Sequence, residues 1–235
     1  MLVRVGLEEA FEGRSLAWAI DHPGCFAYGA DGNSAVVAMA RAIPEYIAWM
    51  ERHTPQPWFN PAEIDIRLVE VCEDYRVDER YQRAEEGTLI NAWFQNDWQP
   101  LTVEETRHGA LLFAWSRDEL LEAFGQTPPE KAEAEHPGER WSIRGLLAHV
   151  GASQWWLLDR LDRAGIPRSA LPKDALERAE VMYTRMAAVI PTLAGVEQVA
   201  GKTGEFWSPR KLLRRSIWHQ RDHAAHIRKL ASAGG

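Results

Sequence analysis

Apolar and polar positions change their period along the chain. In the first hundred residues "MLVRVGL" alternates and predicts a strand. "SLAWAIDHPGCFAYG" predicts a second strand, a Pro-Gly turn and a short third strand. Asp31, Gly32 and Asn33 form a turn into "SAVVAMARAIPEYIAWMERH", an amphipathic helix in which Pro44 is expected to make a kink. "EIDIRLVEVCEDYRV" alternates again as a fourth strand. Residues 1–77 therefore predict a small β-β-β-α-β unit.

From Thr102 onward the pattern is helical. Thr102 and Glu105 form a capping box, opening a helix whose buried face is expected to hold His108, Leu112, Trp115, Glu119 and Glu122. Ser142 caps a second helix with Leu146, His149, Ser153, Trp156 or Leu157, and Leu161 on one face. Pro172 to Leu193 predicts a third, closed by Gly195. Ser208 then caps a fourth, with Pro209 at the first helical position, where a missing N–H is harmless. Four helices with substantial connections predict a bundle over 101–235, so the fold class is α+β. The intervening segment 78–100 reads as a linker. Its Trp93, Phe94 and Trp98 are too apolar for a free tether and are expected to pack at the interface of the two halves.

Composition narrows the setting. The 235 residues are 46% hydrophobic and 26% charged, ordinary for a globular protein and enough for one large or two small domains. Residues 1–100 carry 8 Arg and no Lys against 17 Asp plus Glu, a net of −9. The remainder carries 19 Lys plus Arg against 17, a net of +2, giving −7 for the chain. The acidic first half repels phosphate backbones, so no nucleic-acid binding is expected there. The basic residues of the last helix (Arg210, Lys211, Arg214, Arg215, Arg221, Arg228 and Lys229) read as a solvated face able to help hold an anionic substrate. No apolar run approaches the ~20 residues of a membrane span. The start lacks the pattern of a signal peptide, and Cys25 and Cys72 alone make no disulfide framework. A cytoplasmic protein with structural thiols is expected.

The candidate chemistry lies in "SIWHQRDHAAHIRKL", which holds His219, His223 and His226. Leu212, Ser216, His219, His223, Ile227 and Leu230 recur at spacings of three and four, the period of one helix face. At about 100° per residue, His219 and His223 lie within roughly 40° of each other and about 6 Å apart along the axis. Two imidazoles so placed can converge on one ion. His219 and His226 are about 10 Å apart along the axis, so one helix does not readily offer all three. Either His219 with His223 or His223 with His226 supplies the pair, and at least one further ligand must come from elsewhere. H-x-x-x-H is a weak signal by itself, since a histidine on an apolar face is usually a core residue. Asp222 points about 100° away from His223 and reads as a partner for a surface cation.

Two resemblances extend this reading. The stretch "DHPGCFAYGADGNSAVVAMARAIPEYIAWM", with Pro23, Gly24, Cys25, Gly29, Tyr46 and Trp49, resembles the HicB-like antitoxin fold over roughly residues 1–75. That family usually adds a DNA-binding segment, which this chain lacks after "VCEDYRV". The second half resembles the DinB-like superfamily of metal-binding four-helix proteins, which includes thiol transferases. It does so through "WSIRGLLAHV", with His149, and "WHQRDHAAHI", with His219 and His223. The resemblance implies a metal held by His149, His219 and His223. His226 then lies beyond the ligand pair, as core or as a supporting donor, and His108 is a minor candidate. His22, His53 and His136 need no function.

Three neutral imidazoles leave an ion its full charge and an open position, which can hold a thiolate or lower the pKa of a bound water. The expected protein is a metal-dependent enzyme of the thiol-transferase type, with zinc or nickel as cofactor and a small thiol and an electrophilic small molecule as partners. A metal-dependent hydrolase is one alternative. A non-catalytic, metal-stabilised scaffold with a HicB-like protein-binding module is another, and a homodimer is compatible with each.

Overall fold

The computed structural model describes residues 1–232, which divide into two compact units. The first comprises residues 1–99 together with Val199–Trp207, and the second comprises Pro100–Gln198 and the chain from Ser208. Most strands lie in the first half of the chain and most helices in the second, and the class is α+β.

In the first unit, β1 (Leu2–Phe11), β2 (Arg14–Ala19) and β3 (Phe26–Gly29) are followed by α1 (Gly32–Glu51) and β4 (Asp65–Glu73). The sheet order is β3-β2-β1-β4, with β4 parallel to β1 and the other pairs antiparallel. Alternation explains β1, where Val3, Val5 and Leu7 are all buried. The polar exception is Glu8, fully buried, which accepts from Trp18 Nε1 at 2.9 Å and from the Ala92 backbone N–H at 2.8 Å. A buried carboxylate is tolerable only with such partners. Asp31 and Ser34 form a capping box that starts α1. The helix buries Ala35, Met39, Ile43, Tyr46 and Met50 and runs on through Pro44, which stays on the exposed side.

The long fourth strand expected from alternation is two strands. It breaks at Asp74, whose N–H turns to the Glu9 carbonyl at 2.8 Å, and resumes as β5 (Tyr75–Val77). With β6 (Arg83–Ala84) and β7 (Thr88–Ile90), β5 makes a three-stranded sheet of order β6-β5-β7. Phe94 is fully buried against the main sheet, where Gly6 leaves it room: a Cβ on Gly6 would lie 2.8 Å from the ring. Trp93 and Trp98 cluster with Phe206 of the hairpin formed by β8 (Ala200–Lys202) and β9 (Glu205–Trp207). That hairpin belongs to the first unit although it lies far along the chain.

The second unit contains α2 (Val103–Gly125), the short α3 (Pro129–Glu133), α4 (Ile143–Asp159), α5 (Ala175–Val189) and α6 (Pro209–Ser232). Helix α6 packs against α2 and α4, and α4 packs against α5. One core joins Leu120, Ile143, Leu146, Leu147, Val150, Ile227 and Leu230. Thr102, Ser142 and Asp174 each cap a helix through their side chains. Helix α5 is shorter than the expected Pro172–Leu193, because the turn holding Pro191 tightens to a 3-10 helix over Ile190–Leu193. Among the described residues no helix is long and apolar enough to cross a membrane.

Two expectations are corrected. The buried face of α2 is Thr106, Gly109, Leu112, Phe113, Ser116, Leu120 and Ala123, so of the expected stripe Leu112 is buried while His108, Trp115, Glu119 and Glu122 are not. Small side chains decide this, because they let α6 approach. A Cβ on Gly109 would lie 2.6 Å from Leu213, and Ser116 donates to Gln220 Oε1 at 2.5 Å. The basic residues of α6 are likewise not one solvated face. Lys211, Arg214 and Arg215 are 0%, 2% and 4% exposed, since the first half of α6 is buried on nearly every side. Arg210 is held by the Glu105 carboxylate and Arg228 by Glu119.

Replacing Gly109 with leucine should destabilise the protein by about 1–3 kcal/mol, the usual cost of overpacking a close helix contact. Urea denaturation of the whole chain measures it, and an unchanged midpoint would show that α2 and α6 do not approach so closely.

Candidate metal centre

Helix α4 contributes His149 and α6 contributes His219 and His223. The Ser142 cap sets the start of α4, so His149 sits about two turns in, at the edge of the core stripe. His149 Nε2 is 3.2 Å from His219 Nε2, which is 3.2 Å from His223 Nε2. All three ligand nitrogens lie within 4.8 Å of one another, and each residue is partly exposed. Two nitrogens bound to one ion at about 2.0–2.1 Å and subtending roughly 100° would stand about this far apart. The spacing fits a shared cation.

Electrostatics point the same way. Burial pushes the His149 pKa down to about 4, with the Arg140 charge adding to the effect. Burial, then His149 and His226, push His223 down to about 3. His219 is driven well below its ordinary value by burial first, then by the other two histidines and Arg215. The imidazoles are therefore neutral at pH 7, the form that ligates metals. Nδ1 of His219 and of His223 is buried without a hydrogen-bond partner. The three Nε2 atoms face one another with no carboxylate in the cluster, and a divalent cation among them would take all three lone pairs at once.

Residues around the triad hold it in place. Trp141, just before the Ser142 cap, stacks on the His149 ring with centroids 4.4 Å apart and planes inclined at 20°. Ser153, one turn further along α4, places its hydroxyl 3.5 Å from His149 Nε2. Below the triad, Gln154 donates to the Ser216 carbonyl at 3.3 Å, alongside the Ser116–Gln220 contact. His226 lies outside the three-histidine group and is partly exposed. Its ring stacks beside His223 with centroids 6.1 Å apart, and its Nε2 meets Glu139 Oε2 at 3.1 Å.

His108 stays outside the cluster, 2.8 Å from the Arg107 guanidinium. His22 packs on Phe59 and His53 on Trp49, both in the first unit. His136 lines a surface cavity. The sequence reading missed Glu139, Arg140 and Gln154. The run Glu139-Arg140-Trp141, directly ahead of a cap two turns from His149, is the signal that would have found the first two.

Residues 112–227 match the family model of the DinB superfamily. The matched span reaches from the middle of α2 to Ile227 of α6 and includes all three histidines. No curated protein and no solved structure matches the chain significantly. The DinB superfamily is typically metal-binding, and in this DinB-like segment three histidines are placed to hold an ion.

Proposed function

We propose that the protein is a metal-dependent thiol transferase in which His149, His219 and His223 hold one divalent transition ion, zinc or nickel. The convergence of three neutral Nε2 atoms carries the reading. When bound, the ion supplies positive charge and an open position for a thiolate. Imidazole donors suit zinc, nickel, iron and copper alike, so the donor set fits the group without selecting one metal.

The chain's own residues do the remaining work. The three imidazoles stay unprotonated at neutral pH, and Trp141 restrains the His149 ring by stacking. Partial exposure of all three histidines leaves the centre accessible to a small thiol and an electrophile. In the transfer a C–S bond forms as the electrophile's leaving group departs with its electron pair, and the thiol proton passes to solvent. Hydrolysis is the weaker use, because the cluster holds no carboxylate to act as base and Glu139 is engaged with His226. The first unit, which we read as HicB-like, contributes none of the three histidines. Its net charge of −9 gives nucleic acid no purchase, and pairing with a second copy is the role proposed for it.

The test is metal analysis of the chain purified without an affinity-column metal, followed by cobalt loading and titration with mercaptoethanol. One ion per chain and a sulfur-to-cobalt charge-transfer band are expected, as is metal-dependent consumption of a chromogenic electrophile. Absence of an ion under metal-replete conditions, or an ion that no thiol reaches, would sink the proposal.

A further inference from the structure

Ser153 uses its hydroxyl differently from its counterparts in the bundle. Thr106, Ser116, Thr127 and Ser216 each donate to a carbonyl three or four residues back along the chain. Such a bond is a common resting place for a hydroxyl on a helix. Ser153 makes none, and among the described residues its single hydrogen-bonding contact is with His149 Nε2, at 3.5 Å. Four residues beyond His149 on α4, it lies on the same face of that helix. It is partly exposed, as are the three histidines. The nitrogen it touches also stands 3.2 Å from His219 Nε2, so the hydroxyl borders the place where the three ligand atoms converge. With the Nε2 lone pair given to an ion, that hydroxyl keeps its proton and loses the acceptor it faces.

We infer that Ser153 is a substrate-contacting residue, whose O–H donates to the sulfur of the thiolate held at the open position. This rests on the thiol-transferase reading above. The thiol gives its proton to solvent, and its sulfur keeps lone pairs that can accept once it is bound. A hydrogen bond to an ionised acceptor is stronger than one between neutral groups, so the contact favours thiolate and fixes where its sulfur sits. The triad supplies positive charge through its ion, and Ser153 supplies the direction.

Two ligands that differ in what their bound atom has left to offer provide the probe. Mercaptoethanol binds through a sulfur that keeps free lone pairs, and pyridine through a nitrogen that gives up its only one. Each is titrated into the cobalt-loaded full chain, as wild type, S153A and S153T, and followed by the visible spectrum. Alanine is a good helix former, so S153A should fold and hold cobalt as the wild type does. It should bind mercaptoethanol about tenfold more weakly, the loss expected for a hydrogen bond to a charged group. Pyridine binding should stay the same. The sulfur-to-cobalt band should move to lower energy, because a sulfur without its donor gives up electrons more readily. S153T keeps a hydroxyl and should restore most of both. Equal weakening of the two ligands would overturn the inference, since a serine that only steadied His149 would serve both alike. Loss of cobalt from S153A would also overturn it, by making Ser153 part of the metal's own support. If mercaptoethanol does not reach the cobalt in the wild type, the thiol-transferase reading falls as well. If wild type and S153A bind mercaptoethanol equally, only the role of Ser153 falls.

Discussion

Replacing His219 with alanine should abolish stoichiometric metal binding. His219 is the middle member of the triad, its Nε2 3.2 Å from both of the others. Its loss leaves His149 and His223 on different helices with no shared neighbour between them. Removing an outer partner of a metal ligand typically costs 10–100-fold in affinity, and removing the ligand itself must cost more. H149A and H223A should behave in the same way, whereas H226A should leave the metal content nearly unchanged, because His226 faces Glu139. Competition with a chelator at equilibrium, read by metal analysis after desalting, measures all four variants. Full metal retention by H219A would show that the triad is not the site. Loss of metal from H226A would show that the ligand set is wrong.

The second large effect is on acid stability. His149 and His223 have pKa values pushed down to about 4 and about 3 in the folded metal-free chain, against about 6.5 when unfolded. Lowered values mean that the unfolded chain takes up protons which the folded chain refuses. The stability is therefore fully present above pH 6.5 and is lost as the pH falls from 6.5 towards 4 and 3. Between pH 6.5 and pH 5 each histidine held neutral should cost about 2 kcal/mol. His22, in the first unit, is also pushed down to about 4 by burial and adds to the same slope. The share of the triad is read by difference, comparing urea denaturation of the metal-free wild type with that of the H149Q/H223Q variant. The variant should lose markedly less stability on acidification. Equal losses would mean that the triad is not desolvated. For the same reason the folded site should keep its metal at pH 5, where an exposed histidine pair would already be half protonated or more.

Caps, periods and the i, i+4 pair are properties of neighbours in the chain, and sequence alone determined them. Thr102 with Glu105, Ser142 and Ser208 each begin a helix where their side chains can satisfy free backbone N–H groups. His219 and His223 share a face because the helix repeats every 3.6 residues, whatever surrounds it. Alternation likewise announced the strands of the first unit, although it did not show the break at Asp74, where the β1–β4 ladder ends and the chain joins a second sheet. His149 was placed on the right helix by its cap and its spacing. Its meeting with His219, 70 residues away, was implied only by family resemblance. Tertiary packing decided the rest. Gly109 and Ser116 let α6 settle against α2, which turned that helix away from the face expected of it and buried Lys211, Arg214 and Arg215 in a segment that looks like a charged surface. Burial also set the proton affinity of the triad, since desolvation depends on every element around a ring and leaves no trace in a spacing of four.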